Sequence, residues 1–355
     1  MTRLPHQRRR QRAGVAIVVL LAAAVVATLA SPAGATTAPV DPSGRHHPAV
    51  HVLPGSNVFP EGIATDGSFL YVGSNSTGAV YRGRLESRTT SLLLPPSADG
   101  RTSLTGLQVA GRRLILAGGA TGQLWVYDLP TRRLLSRWTV PGGVAAGATF
   151  VNDEALGADG SVFVTDSFRP VLYRLRRSQV QGRPRPGIGV LPVWLDLAGR
   201  IPFGAGFNVN GADVTADGRY LLAVTTNTGQ LYRVRLANRE VRRVEVSGST
   251  LVDGDGLLLR HGQDVRHAAG RGPGAGGGLG PGGPLYVVRN VDNQVARLAL
   301  SADALHARVV LTATAPTFKV PTSLIIAGGR MLLPNSQFGA ATPTEPFTVS
   351  DIPVP

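Results

Sequence analysis

The chain has 355 residues, 36 Lys and Arg against 22 Asp and Glu, a formal net charge of +14, and no cysteine. Disulfides, thiolate catalysis and thiolate metal sites are therefore excluded. Almost every basic residue is Arg, with Lys319 the single Lys, and they are scattered over strand ends and loops, as in Arg82, Arg84, Arg112, Arg113, Arg132 and Arg133. No dense basic run with interleaved aromatics follows the N-terminal segment, so nucleic acid is not expected as a partner.

In chain order, Arg3, Arg8, Arg9, Arg10 and Arg12 form a basic n-region ahead of an apolar stretch from Ala13 to Ala30. Ala33-Gly34-Ala35 then supplies a small-residue cleavage pattern, which reads as a secretory signal peptide over residues 1–35. The apolar run is near the lower limit for spanning a bilayer, and the small residues after it favour cleavage over a retained anchor. No Cys follows the run, so a bacterial lipoprotein is excluded. The mature chain is expected to start near Thr36, to be secreted and to leave the membrane. Without the five Arg of the leader, 31 basic residues face 22 acidic ones, a formal charge of +9. Residues 36–48 read as a flexible extension. His46, His47 and His51 form an HHxxxH cluster there, and solvation fits it better than Zn²⁺ or Cu²⁺ binding.

From residue 49 onward helical periodicity is scarce, and short β-rich runs alternate with turns. Six segments repeat one pattern: PEGIATDG, LTGLQVAG, VNDEALGADG, VNGADVTADG, GDGLLLRHG and PTSLIIAGG. Each is a short apolar run ending in a Gly turn. In the first copy PEGIAT turns at Asp66-Gly67 into SFLYVGS, then at Thr77-Gly78 into AVYRGRL, then into TTSLLLP. Four strands per unit at this period are the signature of propeller blades. Two long repeats carry insertions around Ser178–Gly189 and Gly262–Gly283, expected as flexible decoration on the face opposite the site. The sixth copy lacks a fourth strand, and the orphan strand AVHVLP (Ala49–Pro54) is expected to complete it. The expectation is one all-β domain over 49–355, a six-bladed β-propeller of four-stranded blades closed by an N-terminal strand and able to stand as a monomer.

The residue opening each repeat is Glu61, Thr105, Asn152, Asn210, Asp255 or Thr322. In a closed ring these side chains face a common axis. Glu61, Asn152, Asn210 and Asp255 offer two carboxylates and two amide carbonyls, an all-oxygen set that suits Ca²⁺ or another divalent cation. Thr105 and Thr322 are weaker donors, assigned to the pocket around the ion. Ser74, Asn75, Asp166, Asn227, Asn290 and Asn335 end second strands and should gather at the same mouth. Phe59, Phe150, Phe203 and Phe207 lie in loops entering the first strands and are expected to wall the pocket. Asp253 competes with Asp255 as ligand. The Asp255-Gly256 alignment with Glu61-Gly62 and Asn210-Gly211 favours Asp255.

PEGI with Glu61, FVNDEALGADG with Asn152, VNGADVTADGR with Asn210 and GDGLLL with Asp255 resemble the senescence marker protein/regucalcin/gluconolactonase propellers over about residues 50–340. The resemblance implies that Glu61, Asn210 and Asp255 bind a divalent cation and that Asn152 contacts metal or substrate. The same set resembles the calcium site of squid-type diisopropyl fluorophosphatase. The implied activities are lactone, ester or phosphoester hydrolysis. Phe150 stands where sugar-lactone members carry Arg, which argues for a more hydrophobic ligand.

The functional expectation is a Ca²⁺-dependent hydrolase of lactone or ester-type small molecules, with Asp255 and Asn152 in catalytic roles. The alternative is a non-catalytic propeller with a structural metal that binds a protein or glycan. No GxSxG elbow, P-loop or haem-attachment motif is present.

Overall fold

Strand-forming runs here are rich in Val, Leu, Ile and Tyr, and the turns between them are built by a recurrent Asp-Gly device. In Asp66-Gly67, Asp159-Gly160 and Asp217-Gly218 the Asp Oδ1 accepts the N–H two residues on, from Ser68 (2.9 Å), Ser161 (3.0 Å) and Arg219 (3.0 Å). The side chain thus closes a turn that the backbone alone would leave open. The computed structural model describes residues 49–144, 147–260 and 283–355, all in one compact unit, Val40–Pro355. The leader, the extension, residues 145–146 and residues 261–282, which hold nearly all of the Gly262–Gly283 insertion, lie outside the described residues.

Strand β1 is Val50–Val52. The first repeat is β2 (Pro60–Thr65), β3 (Phe69–Ser74), β4 (Val80–Arg84) and β5 (Ser91–Leu94). The second is β6 (Leu107–Ala110), β7 (Arg113–Ala117), β8 (Gln123–Asp128) and β9 (Arg133–Thr139). The third has β10 (Val151–Leu156), β11 (Val162–Asp166) and β12 (Val171–Leu175), then a short helix α1 (Arg177–Val180), β13 (Ile188–Val190) and β14 (Val193–Asp196). The fourth is β15 (Val209–Val214), β16 (Tyr220–Thr225), β17 (Leu231–Arg235) and β18 (Val241–Ser247). The fifth is β19 (Gly254–Leu259), β20 (Leu285–Arg289), β21 (Gln294–Leu300) and β22 (His306–Ala313). The last has β23 (Ile325–Ala327), β24 (Arg330–Pro334) and β25 (Thr348–Pro353).

Each repeat is an antiparallel sheet, and the whole is all-β and propeller-like. Strand β1 adds to β25 with Val50 opposite Ser350, giving the order β1-β25-β24-β23. The fourth and fifth repeats share one eight-stranded sheet, because β18 and β22 pair in parallel at their outer edges. Apolar clusters fill every gap between successive repeats. Tyr71 and Val80 meet Leu114 and Trp125, Ile115 and Val126 meet Val162 and Tyr173, and Phe163 meets Leu221 and Tyr232. Leu222 then meets Leu285, Tyr286 meets Leu324 and Met331, and Leu332 and Val349 return to Ile63 and Leu70.

Two expectations need correction. The Ser178–Gly189 insertion is an ordered addition: β13 pairs in parallel with β9 as a fifth strand of the second repeat's sheet. Val180 and Leu191 are buried beneath it, and Gln181 Nε2 donates to the Ala110 carbonyl at 2.9 Å. His51 does not belong to a solvated cluster. It is fully buried in β1, with Nδ1 2.6 Å from the Ser87 carbonyl oxygen and Nε2 3.4 Å from Asp351, which also accepts from Arg330 at 2.6 Å.

Because β1 and the adjoining Leu53 fill the gap between the last and first repeats, removing residues 36–54 should lower the melting temperature of the whole domain. Leu53→Ala alone should cost about 2–5 kcal/mol in urea unfolding. An unchanged melting temperature in the truncated chain would show that the ring does not need this strand.

Candidate functional site

Four first strands break register with their second strands, between Pro60 and Ile63, Val151 and Glu154, Val209 and Ala212, and Gly254 and Leu257. The residues inside these bulges are Glu61-Gly62, Asn152-Asp153, Asn210-Gly211 and Asp255-Gly256. A bulge re-aims the side chain it carries, so the two acids and two amides are turned together out of the ladder. The other two first strands, β6 and β23, pair without such a break. Thr105 and Thr322 precede them, and their hydroxyls donate to neighbouring backbone: Thr105 to Val151 O (2.8 Å) and Asn152 O (3.0 Å), Thr322 to Glu61 O (2.9 Å). Those two residues knit the ring rather than offer free donors to it.

Glycine after the opening residue has a steric cause. A Cβ on Gly62 would lie 2.5 Å from the Thr105 carbonyl oxygen, and one on Gly211 would lie 2.1 Å from that of Asp255. At these two positions the next first strand occupies that space, whereas the third bulge accommodates Asp153 there.

Each opening residue is held by the residue just past the second strand of its own repeat. Asn75 Nδ2 donates to Glu61 Oε2 at 2.5 Å, and Asn290 Nδ2 to Asp255 Oδ2 at 2.7 Å. For the amides the direction reverses. Asn152 Nδ2 donates to Ser167 Oγ (2.9 Å), whose proton goes to Val209 O, and Asn210 Nδ2 donates to Thr226 Oγ1 (3.0 Å), whose proton goes to Gly254 O. With its one proton given to a carbonyl, each hydroxyl must accept from the amide. Both Asn carbonyls are thereby left for the axis.

All four side chains are buried, Glu61 at 7 % exposure, Asn152 at 3 %, Asn210 and Asp255 at 6 %. Burial is the main cause raising the Asp255 pKa to about 7, against hydrogen bonds from Asn290 and Asn210 and with the Asp153 charge adding to the rise. Burial also holds Glu61 well above its ordinary value, followed by the negative charge of Asp255. The two carboxylates therefore oppose each other's ionisation, burial and the neighbouring negative charge acting in the same direction on Glu61. Two converging carboxylates that resist joint ionisation form a site that a cation would relieve. Among the described residues no group of three or more His, Cys, Asp or Glu side chains is arranged to hold a metal ion. A cation here would rest on two carboxylates and two amide carbonyls, a donor set that fits Ca²⁺ in chemistry.

Behind the ring, the same strands line a cavity of about 170 Å³ that includes Asp153, Glu154, Asp213 and Gln108. Asp153 accepts the N–H groups of Glu154 (2.9 Å) and of Ala212 on the next repeat (3.0 Å), and burial raises its pKa to about 7. Asp213 bridges onward in the same way to Leu259 N–H at 2.8 Å. Glu154 is 4 % exposed, and neither carboxylate oxygen has a hydrogen-bond partner among the described residues. Burial and then Asp153 hold its pKa well above the usual value; the Ala117 N–H that opposes this already donates to Gly106 O. Asp153 was legible as the one acidic residue standing where three other bulges carry Gly. Nothing in the sequence marked Glu154.

Of the expected pocket aromatics, Phe150 and Phe207 meet at 4.9 Å between ring centres, joined by Phe168. Phe59 stacks on Phe338 and meets Phe347 at a tilt, between the last and first repeats. Phe203 packs instead against the core between the third and fourth repeats. Asp253 lies in the turn before β19 with φ 62°, its carboxyl raised by partial burial and Asp292 and lowered by Arg289. Asp255, inside the bulge, is the one that faces Glu61. Of the expected second-strand residues, Asn335 and Asp166 serve the loops: Asn335 binds Lys319 N–H, Thr348 and Ser350, and Asp166 binds the Phe150, Phe168 and Arg169 N–H groups.

No family model and no curated protein matches this chain. Solved structures do. Regucalcin from Agrobacterium tumefaciens, described as a calcium-binding protein, is similar over 86 % of this chain and 93 % of its own, at 14 % identity and a TM-score of 0.56. The Malassezia sympodialis allergen Mala s 1 is similar over 86 % and 96 %, at 12 % identity and 0.59. Virginiamycin B lyase from Staphylococcus aureus covers 86 % and 98 %, at 11 % and 0.53. At these identities the likeness carries the fold alone.

Raised pKa values give a definite sign. Glu61, Asp153, Glu154 and Asp255 bind protons more tightly in the folded chain than unfolded, so the stability they contribute is fully present below about pH 4 and is lost as pH rises through about 7. In EDTA the melting temperature should be higher at pH 5 than at pH 8, and Glu154→Gln should raise it by about 2 °C or more at pH 8. A wild type that melts higher at pH 8 in EDTA would contradict the buried-acid description.

Proposed function

We propose that this protein is an exported, divalent-cation-dependent hydrolase of lactone or ester-type small molecules, built on a closed six-bladed ring and related to the senescence marker protein/regucalcin/gluconolactonase propellers. The observation carrying this reading is the placement of Glu61, Asn152, Asn210 and Asp255 in four equivalent bulges, with both amide carbonyls freed by their hydroxyl partners. Glu61, Asn210 and Asp255 would hold the ion, with Asn152 completing the set or orienting substrate. A bound Ca²⁺ supplies positive charge that polarises a substrate carbonyl or phosphoryl oxygen.

The remaining chemistry belongs to the chain. Burial raises the Asp255 pKa to about 7 when no cation is bound, and beside a bound cation the group stays a carboxylate able to accept a proton from an attacking water. Asn290 fixes its carboxylate from outside the ring and is a positioning residue. The Phe150 side of the mouth limits water around the reacting group. The basic, apolar leader supports export, and closure by β1 supports a monomer.

Purified protein should contain Ca²⁺ by elemental analysis and should turn over members of an aryl ester, lactone and phosphotriester panel, with activity lost in EDTA. Asp255→Asn should abolish turnover while the far-ultraviolet circular dichroism stays unchanged. Bound Ca²⁺ without turnover of any substrate class would instead support the alternative, a non-catalytic propeller with a structural ion that binds a protein or glycan.

A further inference from the structure

Three phenylalanines from separate loops close into a triangle over the third and fourth repeats. Centroid distances are 4.9 Å for Phe150–Phe207, 5.1 Å for Phe168–Phe207 and 5.5 Å for Phe150–Phe168. Each is tied to the ring of oxygen donors through the chain. Phe150 stands two residues before Asn152, Phe168 follows the Ser167 that holds the Asn152 amide, and Phe207 stands three residues before Asn210. The Phe150 ring also reaches the second repeat, since a Cβ on Gly119 would lie 3.3 Å from its edge.

Asp166 and Arg169 beside this triangle are already engaged, and the one partnerless polar atom beside Phe207 among the described residues, Asn227 Oδ1, is buried. Asp166 Oδ1 accepts the N–H groups of Phe150 (2.8 Å), Phe168 (3.0 Å) and Arg169 (3.0 Å). The Arg169 guanidinium turns away and donates to the carbonyls of Ala148, Pro141 and Gly143 at 2.8–2.9 Å. What remains toward solvent is hydrocarbon, with Phe207 40 % exposed. A polyhydroxylated group laid on it would leave its hydroxyls unpaired, a loss that such surfaces do not repay.

We propose that Phe150, Phe168 and Phe207 form a subsite for an uncharged hydrocarbon group, an alkyl chain or aryl ring, on the molecule whose reacting carbonyl meets Glu61, Asn152, Asn210 and Asp255. This rests on the hydrolase reading only for the reacting group, so binding is tested without turnover. In Ca²⁺-containing buffer, the affinity of acetamide, butyramide and hexanamide, measured by titration calorimetry or ligand-observed NMR, should rise about two- to fourfold per added methylene. Phe207→Ala should flatten that rise. Phe338→Ala, an equally exposed Phe stacked on Phe59 between the last and first repeats, should leave it in place. The p-nitrophenyl acetate, butanoate and hexanoate series should follow the same order in kcat/KM.

Wild-type affinity independent of chain length overturns the subsite, as does a slope that survives Phe207→Ala or one that is lost in Phe338→Ala. A chain-length slope for the amides with no ester turned over would keep the subsite and remove the hydrolase. Esters turned over at rates indifferent to chain length, with a flat amide series, would do the reverse.

Discussion

The close approach of successive first strands governs everything else in this molecule. At Gly62 and Gly211 the backbone of the next repeat stands where a Cβ would be. Four of the six first strands also break their ladder at this level, and the bulges turn Glu61, Asn152, Asn210 and Asp255 out of the pleat. The oxygen set is thus a product of these register breaks packed at close quarters.

The same geometry concentrates acidity inside an otherwise basic protein. Glu61, Asp153, Glu154 and Asp255 lie within the innermost strands, each with its pKa raised by burial. The Arg residues that dominate the net charge lie elsewhere and rest on aromatic faces, as Arg82 and Arg84 do on Phe69, Arg174 on Phe163 and Arg239 on Trp194. Overall charge therefore describes the exterior more than the interior, where Arg101 and Arg233 are the buried exceptions among the described Arg residues. The axis is an acidic, desolvated interior, whose negative charge must be met by protons or by a cation.

Much of this was legible in the sequence because the repeats are self-similar. The opening residues could be aligned by eye, and the strand order followed from hydrophobic runs separated by Asp-Gly turns. Residue type alone set Thr105 and Thr322 apart as weaker donors; the unbroken register of the strands that follow them is a difference the residues do not announce. It misjudged the segment after Val180, because Gly and Pro content resembles a loose loop while Ile188–Val190 finds a partner strand far away in sequence. His51 was masked by two neighbouring histidines that suggested a surface cluster. Glu154 escaped notice for a related reason: its meaning lies in the absence of a partner, and partners are set by the neighbouring repeat.

The outer edges of the fourth and fifth repeats are paired with each other, Glu245 to His306 through Ser247 to Arg308. Neighbouring units in such repeat folds are normally joined by side-chain packing alone, so their coupling is nearly uniform along the array. Here backbone pairing links two boundaries at their outer edges, β18 with β22 and β13 with β9, and exposed edges are removed at both. The fourth and fifth repeats, joined by a full eight-stranded sheet, should leave the native state as a single cooperative block. The repeats are alike in strand order and uneven in their breaking points.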